Sequence, residues 1–525
     1  MRSPFSRKTK KATTNGGTSR DTAINFDEAY GEPTDASEAA SSAQRRGPGP
    51  LTRLIAGWWD RVISATFSGT FTRQEEQYAA GSTRRDYLWN SIGLAAWGGQ
   101  FPLLTIITTQ LAGVETAGKL SMAYVVSLML WYLGNYGART YQVSDLEEHA
   151  SFYSYQVQRV ITCLLMVAVG LGWGFVRGYA DEMASIFTWV LVFRAVDALA
   201  DVFEGRLQQV DKLYLAGISQ TIRCATSLVA FAIVLLVTGS VTAASVALAV
   251  LAIASLVIVT VPLAYFETPA SGAPGISEIG DLFVQCFPTA SALLLYALVD
   301  AMPKFAMEGM LSYDNQLYYN ALYFPAHAII MTVGFIYKPM LVHLAGIWAD
   351  ATQRKKFDLV ILGITLITVA ITAGMAFLMS TVGIPVMSVL YGVDFEQFRG
   401  LTYVMVAAGG MAALIDFLYQ VITVLRKQGM VTRIYAIGFA ASIPICYLLV
   451  GFTGLEGAVL AGLFCMGILA VELISAYFGL RWGTEEHTNG PDAEPGPQQP
   501  GPQGADTGDD MLADAYSSRS DTSLS

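Results

Sequence analysis

The chain has 525 residues, of which 53% are hydrophobic and 14% are charged, and its mean hydropathy is +0.45. These values exclude an ordinary soluble domain. The formal net charge of −10 indicates neither an acidic surface nor a nucleic-acid partner, because residues 485–525 hold nine acidic residues against one arginine and the rest of the chain is close to neutral.

The first predicted elements are a polar tail and an amphipathic helix. Residues 1–50 are polar and lack the apolar core of a signal peptide, so we expect a disordered cytoplasmic tail. In residues 51–68, apolar side chains recur at intervals of three and four, which predicts a helix in the membrane interface. The same pattern is also typical of a helix that docks on another protein.

Twelve apolar segments follow, each long enough to cross a hydrocarbon core of roughly 30 Å as a helix. They are 87–111, 118–136, 157–176, 183–202, 215–237, 241–266, 282–302, 317–344, 360–380, 401–425, 434–450 and 455–478. The apolar run 384–390 is too short to span and is predicted to lie in a loop before the tenth helix. The sequence therefore predicts an all-α membrane protein with about twelve transmembrane helices.

Basic residues in the short loops predict the orientation of these helices, because Lys and Arg resist translocation. One set of alternate loops is rich in them, as at Arg84, Arg85 and Arg206. The other set has little beyond Lys119, Arg177, Lys304 and Arg399. This pattern predicts an even number of crossings with both termini in the cytoplasm.

A polar connection at 267–281 divides the predicted membrane region into two sets of six helices. It separates residues 86–266 from residues 282–481, and an acidic tail, predicted to be disordered and cytoplasmic, follows at 482–525. Paired bundles of this kind are common in transporters that rock around a central site. No repeat of individual residues relates the two sets.

The fourth segment carries a polar stripe at helical spacing. Arg194, Asp197, Asp201, Glu204 and Gln208 are separated by three or four residues, which places them on one helix face. Charges at the bilayer centre cost several kcal/mol when they face lipid. The stripe is therefore interpreted either as a structural ion pair between Arg194 and an aspartate, or as the wall of a water-filled cavity that binds a polar substrate.

Other ionisable residues lie inside or at the ends of the predicted helices. They are Arg223, Asp300, Lys304, Lys338, Asp416 and Glu472. Lys304 and Lys338 lie near helix ends, where a long side chain can also reach the headgroups without contacting a substrate. Asp416 and Glu472 are candidates for proton or cation coupling.

The sequence carries no pattern typical of an enzyme, a metal site or a cofactor site. The 4 histidines are scattered, the 5 cysteines have no paired short spacing, and no glycine-rich phosphate loop precedes a helix. We therefore expect a protein without catalytic activity, metal or cofactor. Energy for transport would come from a gradient, from the asymmetry of the substrate or from a separate subunit.

Several short motifs resemble those of the bacterial polysaccharide repeat-unit flippases. The motifs are NYGARTYQVSD at 135–145, RAVDALADVFEGRLQQ at 194–209, DAMPKF at 300–305 and FP at 324–325. These flippases export O-antigen, capsule and exopolysaccharide units and belong to the multidrug/oligosaccharidyl-lipid/polysaccharide exporter superfamily. The resemblance covers residues 86–481, whereas the two polar tails depart from the usual pattern.

The resemblance implies a MATE-like, V-shaped pair of six-helix bundles that opens alternately to the two faces of the bacterial cell membrane. It implies a polyprenyl-pyrophosphate-linked oligosaccharide as cargo, contact with membrane lipid, and a polysaccharide polymerase and other assembly proteins as partners. Sugar hydroxyls favour carboxylate and amide partners, and a pyrophosphate favours Arg or Lys. The implied substrate-binding residues are Arg139, Arg194, Asp197, Asp201, Glu204, Gln208, Arg223, Asp300, Lys304 and Lys338.

Three alternatives remain at this stage. Lipid II flippases have a similar architecture but typically carry two more helices after the twelfth. MATE-type multidrug antiporters take cationic cargo, which Arg194 and Arg223 would repel. A membrane scaffold would have no use for buried charge in its fourth helix.

Overall fold

The computed structural model describes residues 75–145, 148–349, 353–425 and 428–489, and these residues form an almost entirely α-helical fold. The prediction of an all-α membrane protein is confirmed. Twelve long helices follow one another: α1 Glu75–Ala112, α2 Val114–Asn135, α3 Phe152–Val176, α4 Asp181–Gln209, α5 Leu213–Thr238, α6 Val241–Glu267, α7 Ile276–Met307, α8 Asp314–Tyr337, α9 Arg354–Tyr391, α10 Arg399–Val424, α11 Gln428–Thr453 and α12 Leu455–Asn489.

Within the described residues, 10 helices are long and apolar enough to cross a membrane. The helices α2 and α4 are not among these ten. Polar content accounts for α4, because its second half carries Arg194, Asp197, Asp201 and Glu204, and all four are buried inside the protein. Burial among other helices removes the need for a lipid-compatible surface.

The prediction of a loop at 384–390 is wrong. The helix α9 continues through a π-helical turn at Met379–Gly383 into Ile384–Tyr391, so that segment belongs to one long helix rather than to a loop. The π turn comes just before Pro385, which has no backbone N–H to donate, and a wider turn lets the helix continue past such a residue. Gly392, with a φ of +66°, then ends the helix.

The described ends of the chain differ from the predicted boundaries. The helix α12 continues to Asn489, past the predicted limit at 481. The predicted tail at 1–50, the predicted interfacial helix at 51–68 and residues 490–525 lie outside the described residues.

The helices pack so that α2 and α4 lie at the centre of the first half (α1–α6). In this half α4 contacts α2, α3, α5 and α6, while in the second half (α7–α12) α10 contacts α8, α9 and α12. The two halves meet where α2 packs against α7 and α8. Because successive helices run in opposite directions, α4 ends at one face of the protein and α7 ends at the other. We name them the Gln208 face and the Glu308 face.

Candidate functional site

A cavity of about 580 Å³ lies beside the polar stripe of α4. Its lining comes mainly from α1, α2, α4, α5 and the short helix Ala138–Ser144. The predicted site residues among that lining are Arg139, Asp197, Asp201, Glu204, Gln208 and Arg223. The stripe is therefore the wall of a hollow, as one of the two interpretations of the sequence required.

Asp201 is the centre of one cluster of ion pairs. Its Oδ1 lies 2.6 Å from Nη1 of Arg139, and its Oδ2 lies 3.0 Å from Nη2 of Arg159 on α3. The side-chain amide of Asn135 also donates to Oδ2 at 2.9 Å. Three charge-assisted contacts compensate the charge of this nearly buried carboxylate and fix its direction.

Arg223 on α5 joins two further acids of the stripe. Its Nη2 lies 2.9 Å from Oδ1 of Asp197, and its Nη1 lies 2.6 Å from Oε1 of Glu204. The hydroxyl of Ser219 also donates to Glu204 at 3.1 Å. One guanidinium thus holds carboxylates from two turns of α4 against α5, which gives each buried acid a compensating charge.

Arg194 occupies the end of the stripe nearest the centre of α4. It donates to Oδ2 of Asp197 at 3.0 Å, and the indole N–H of Trp97 donates to the same oxygen at 2.7 Å. The guanidinium also lies over the ring of Tyr124 at 4.2 Å from its centroid. Such contacts favour the delocalised guanidinium over a lysine ammonium. The ion pair of the other interpretation is therefore also present, within the wall of the cavity.

Arg139 is the most accessible cation of the large cavity. Its side chain is 28% exposed, whereas those of Arg159 and Arg223 are 0% and 2% exposed. Its Nε donates to Oε1 of Gln208 at 3.2 Å. Arg139 and Gln208 together present a cation and an amide to the opening of the cavity.

A second cavity of about 240 Å³ shares Trp97 and Tyr132 with the first and extends into the second half. Arg194, Asp300, Lys304 and Asp416 are its predicted site residues. Its aromatic lining comprises Trp97, Phe101, Tyr124, Tyr132, Tyr296, Tyr323 and Phe324.

The carboxylates of the second cavity have tyrosine partners. Asp300 accepts from the hydroxyl of Tyr323 at 2.9 Å and from Nζ of Lys304 at 3.0 Å. Asp416 accepts from the hydroxyl of Tyr337 at 2.5 Å. The ion pair within α7 leaves Lys304 buried at 4% exposure, so its ammonium does not reach the headgroups.

Two predicted site residues do not line either cavity. Lys338 is exposed at the end of α8, where its alkyl chain approaches Gly334, so the structure places it away from the proposed substrate site. Glu472 is half-buried in α12, and its Oε2 has no hydrogen-bond partner among the described residues. The position of Lys338 near a helix end explains its exposure, because a lysine there can extend toward water.

Sequence reasoning missed three donors to the aspartates of the stripe, namely Arg159, Trp97 and Asn135. Arg159 is a charge inside the third apolar segment, so the cost of burying charge in a membrane could have identified it. Trp97 and Asn135 carry no comparable signal, because indoles and amides are tolerated at many membrane positions. Their roles depend on helix contacts that the order of residues does not specify.

Comparisons with known proteins identify the fold. No protein-family model and no curated protein matches the chain. A crystal structure of a mutant of the Vibrio cholerae MATE transporter VcmN is similar, with a TM-score of 0.54 and 13% identity, over 78% of this chain and 99% of that one. The bent form of VcmN gives a TM-score of 0.52 and 14% identity, over 79% of this chain and 99% of that one.

A third similar structure is the inward-facing conformation of a multidrug resistance MATE family transporter of the MOP superfamily. Its TM-score is 0.54 and its identity is 13%, over 77% of this chain and 98% of that one. At such identities the likeness concerns the path of the backbone and not the cargo. The described helices therefore have the fold of MATE transporters of the MOP superfamily, and the candidate site is a charged hollow within that fold.

Proposed function

We propose that this chain is a transporter that moves polyprenyl-pyrophosphate-linked oligosaccharide repeat units across a bacterial cytoplasmic membrane by alternating access. The observation that carries the proposal is the ionic wall of the cavity of about 580 Å³. A membrane fold that buries three carboxylates and several arginines beside a hollow is suited to a highly polar cargo. In this proposal the Gln208 face and both termini are cytoplasmic.

The chemistry of the wall matches the two polar parts of such a cargo. Sugar hydroxyls both donate and accept, so they can bind Gln208 and the carboxylates of Asp197 and Asp201, all of which line the cavity. A pyrophosphate binds arginine through charge-assisted, bidentate hydrogen bonds. Arg139 is the accessible cation for that contact, because its side chain is 28% exposed. The lipid chain would remain in the bilayer while the polar part passes through the cavity.

The decisive experiment follows the cargo in a host that lacks the gene. Lipid-linked repeat units should accumulate in the cytoplasmic leaflet, surface polysaccharide should fall, and the wild-type chain should restore both. In the same host, Arg139→Gln should restore about tenfold less transport than the wild-type chain does, since the substitution removes the accessible cation. Arg399→Gln is the matched control, because Arg399 forms an exposed pair with Glu396 outside both cavities.

The amount of folded protein in the membrane is measured for every variant. Loss of surface polysaccharide in Arg139→Gln with normal folded protein would support transport over a scaffold role. Normal distribution of repeat units between the leaflets in the deleted strain would overturn the proposed cargo.

A second candidate function is the export of organic cations. The observation that favours it is the smaller cavity, where the carboxylates of Asp300 and Asp416 lie among aromatic rings. Lys304 and Arg194 also line this cavity and oppose a cationic cargo. Efflux of ethidium from cells that overproduce the chain tests this candidate. Efflux that is lost in Asp300→Asn but kept in Arg139→Gln would favour it over the first proposal.

A further inference from the structure

The two halves of the protein touch at the Glu308 face through contacts from α1, from α2 and from the loop between α3 and α4. At the end of α1, the amide of Gln110 donates to the carbonyls of Leu390 and Val389 at 2.9 and 3.3 Å. Five residues earlier in α1, the hydroxyl of Thr105 lies 3.3 Å from that of Tyr391. These contacts join α1 to the end of α9.

At the same face an ion pair joins the loop between α3 and α4 to the end of α7. Arg177, which follows α3, has its Nη2 2.7 Å from Oε2 of Glu308, which follows α7. The same nitrogen donates to the backbone carbonyl of Glu308 at 2.7 Å, and the hydroxyl of Tyr179 donates to Oε1. Glu308 is only 8% exposed, so this loop carboxylate is removed from water by the contact between the halves.

A close approach of two backbones lies beside this ion pair. Gly118, in the first turns of α2, faces the backbone carbonyl of Tyr313, which precedes α8. A Cβ atom at position 118 would overlap that carbonyl. Only glycine allows α2 and the segment before α8 to approach so closely.

The large cavity extends in the opposite direction. Its lining includes Gln208, near the end of α4, and Ser144, at the end of the short helix Ala138–Ser144. The hollow therefore reaches the Gln208 face while the contacts just described seal the Glu308 face. This combination is the arrangement of an alternating-access protein that is closed on one side.

We propose that Arg177, Tyr179, Glu308 and Gly118 form a latch that holds the Glu308 face closed and must separate before the cavity can open to that face. This inference rests on the proposed transport function, because a latch of this kind matters only if the two halves move. The pyrophosphate and the sugars play no part in it.

The chemistry of Glu308 makes the latch reversible. Burial raises the pKa of its carboxyl above the ordinary value, although the hydroxyl of Tyr179 and the guanidinium of Arg177 lower it. Removing the carboxylate from water has a cost that its two partners offset. Opening the face would rehydrate the carboxylate as it breaks the ion pair, so the gain in hydration compensates part of the lost contact.

The test measures from which side of the membrane the cavity is accessible. Leu293 lines the large cavity, and the five native cysteines are all buried, so Leu293→Cys supplies a reporter thiol. A membrane-impermeant maleimide is added to vesicles of either orientation. The otherwise unchanged chain should be labelled from the Gln208 face. Gly118→Ala should raise labelling from the Glu308 face about tenfold, because the added methyl group opposes only the closed form.

A matched glycine substitution separates opening from poor folding. Gly217 also approaches a backbone carbonyl too closely for a Cβ atom, that of Trp89, but both residues lie in the first half. Gly217→Ala should lower the amount of folded protein and leave the labelling ratio of the two faces unchanged. A rise in Glu308-face labelling in Gly217→Ala equal to that in Gly118→Ala would overturn the latch.

A second variant keeps the test valid if Gly118→Ala does not fold. Arg177→Gln leaves the buried Glu308 carboxylate without its counter-ion, which opposes the closed form by a different route. Its labelling from the Glu308 face should also rise, while Arg399→Gln, an exposed arginine on the same face, should not change it. Unchanged labelling in folded Arg177→Gln overturns the latch. The labelling needs no cargo, so its result is independent of whether the proposed cargo is correct.

Discussion

The two halves of the protein bury acidic residues in different ways. In the first half, Asp197, Asp201 and Glu204 are each paired with arginines from other helices. In the second half, Asp416 accepts from the hydroxyl of Tyr337, and Asp300 accepts from the hydroxyl of Tyr323 and from Lys304 of its own helix. Removing Asp201 from the first half therefore leaves the buried Arg159 without a carboxylate, whereas removing Asp416 from the second half leaves only a neutral hydroxyl without its acceptor. The same type of substitution should have unequal effects in the two halves.

The largest effect is expected for Asp201→Ala. This change leaves Arg159, whose side chain is 0% exposed, without a carboxylate, and it also removes an acceptor from Arg139. Removing one partner of a buried ion pair destabilises by about 3–5 kcal/mol. Unfolding in a detergent titration should show the loss, or the variant should fail to accumulate. A loss below about 1 kcal/mol, the size typical of an exposed pair, would contradict the distinction between the halves.

A smaller effect is expected for Glu204→Gln. The amide oxygen can still accept from Arg223 or Ser219, and Arg223 keeps its pair with Asp197. A hydrogen bond to a charged group contributes about 1.5–3 kcal/mol, so the loss should lie in that range. The double variant Glu204→Gln with Asp197→Asn gives the check. It should lose more than the sum of the two single losses, because only then is Arg223 left unpaired.

The second half should tolerate Asp416→Asn better than either change above. The asparagine oxygen can accept from the hydroxyl of Tyr337, so the hydrogen bond remains and only its charge-assisted part is lost. We expect a loss of about 1 kcal/mol in the same detergent titration. Tyr337→Phe should cost a similar amount, since it removes the hydroxyl from the same contact. A loss as large as that of Asp201→Ala would remove the contrast between the halves.

The contrast also explains what the sequence could and could not predict. Helical spacing alone places Asp197, Asp201 and Glu204 on one face of α4, so the sequence is sufficient to predict the stripe. Their partners come from other helices, and no local pattern indicates that Arg159 on α3 faces Asp201. In the second half, the tyrosine partner of Asp416 depends on how α8 packs against α10.

The prediction for 384–390 failed for a different physical reason. A criterion of apolar length treats each run as separate, whereas the π-helical turn at Met379–Gly383 joins this run to the helix before it. A π-helical turn has no distinctive amino-acid composition by which the sequence would reveal it. The number of long helices was therefore predictable, but the extent of α9 was not.

The smallest effect is expected from pH, in a loop of the first half. Asp145 follows the short helix Ala138–Ser144, and its side chain accepts from the backbone N–H groups of His149 and Ala150 at 2.9 and 3.1 Å. Burial alone would raise the pKa of this carboxyl, but these hydrogen bonds and the ring of His149 together lower it below 3.8. In the first half, charge and hydrogen bonding therefore hold an acidic side chain in this loop as they hold the buried acids of α4.

The direction of the pH effect follows from the lowered pKa. The ionised carboxylate is favoured by folding, so its contribution to stability is complete above its ordinary pKa and is lost as the pH falls through the folded value. The melting temperature in detergent should therefore decline below about pH 4, and Asp145→Asn should show a weaker decline. Ser144→Ala removes a neighbouring exposed hydroxyl but no partner of Asp145, so it is the matched control and should keep the decline of the wild type. An equal weakening in both variants would mean that the decline does not depend on the Asp145 carboxylate.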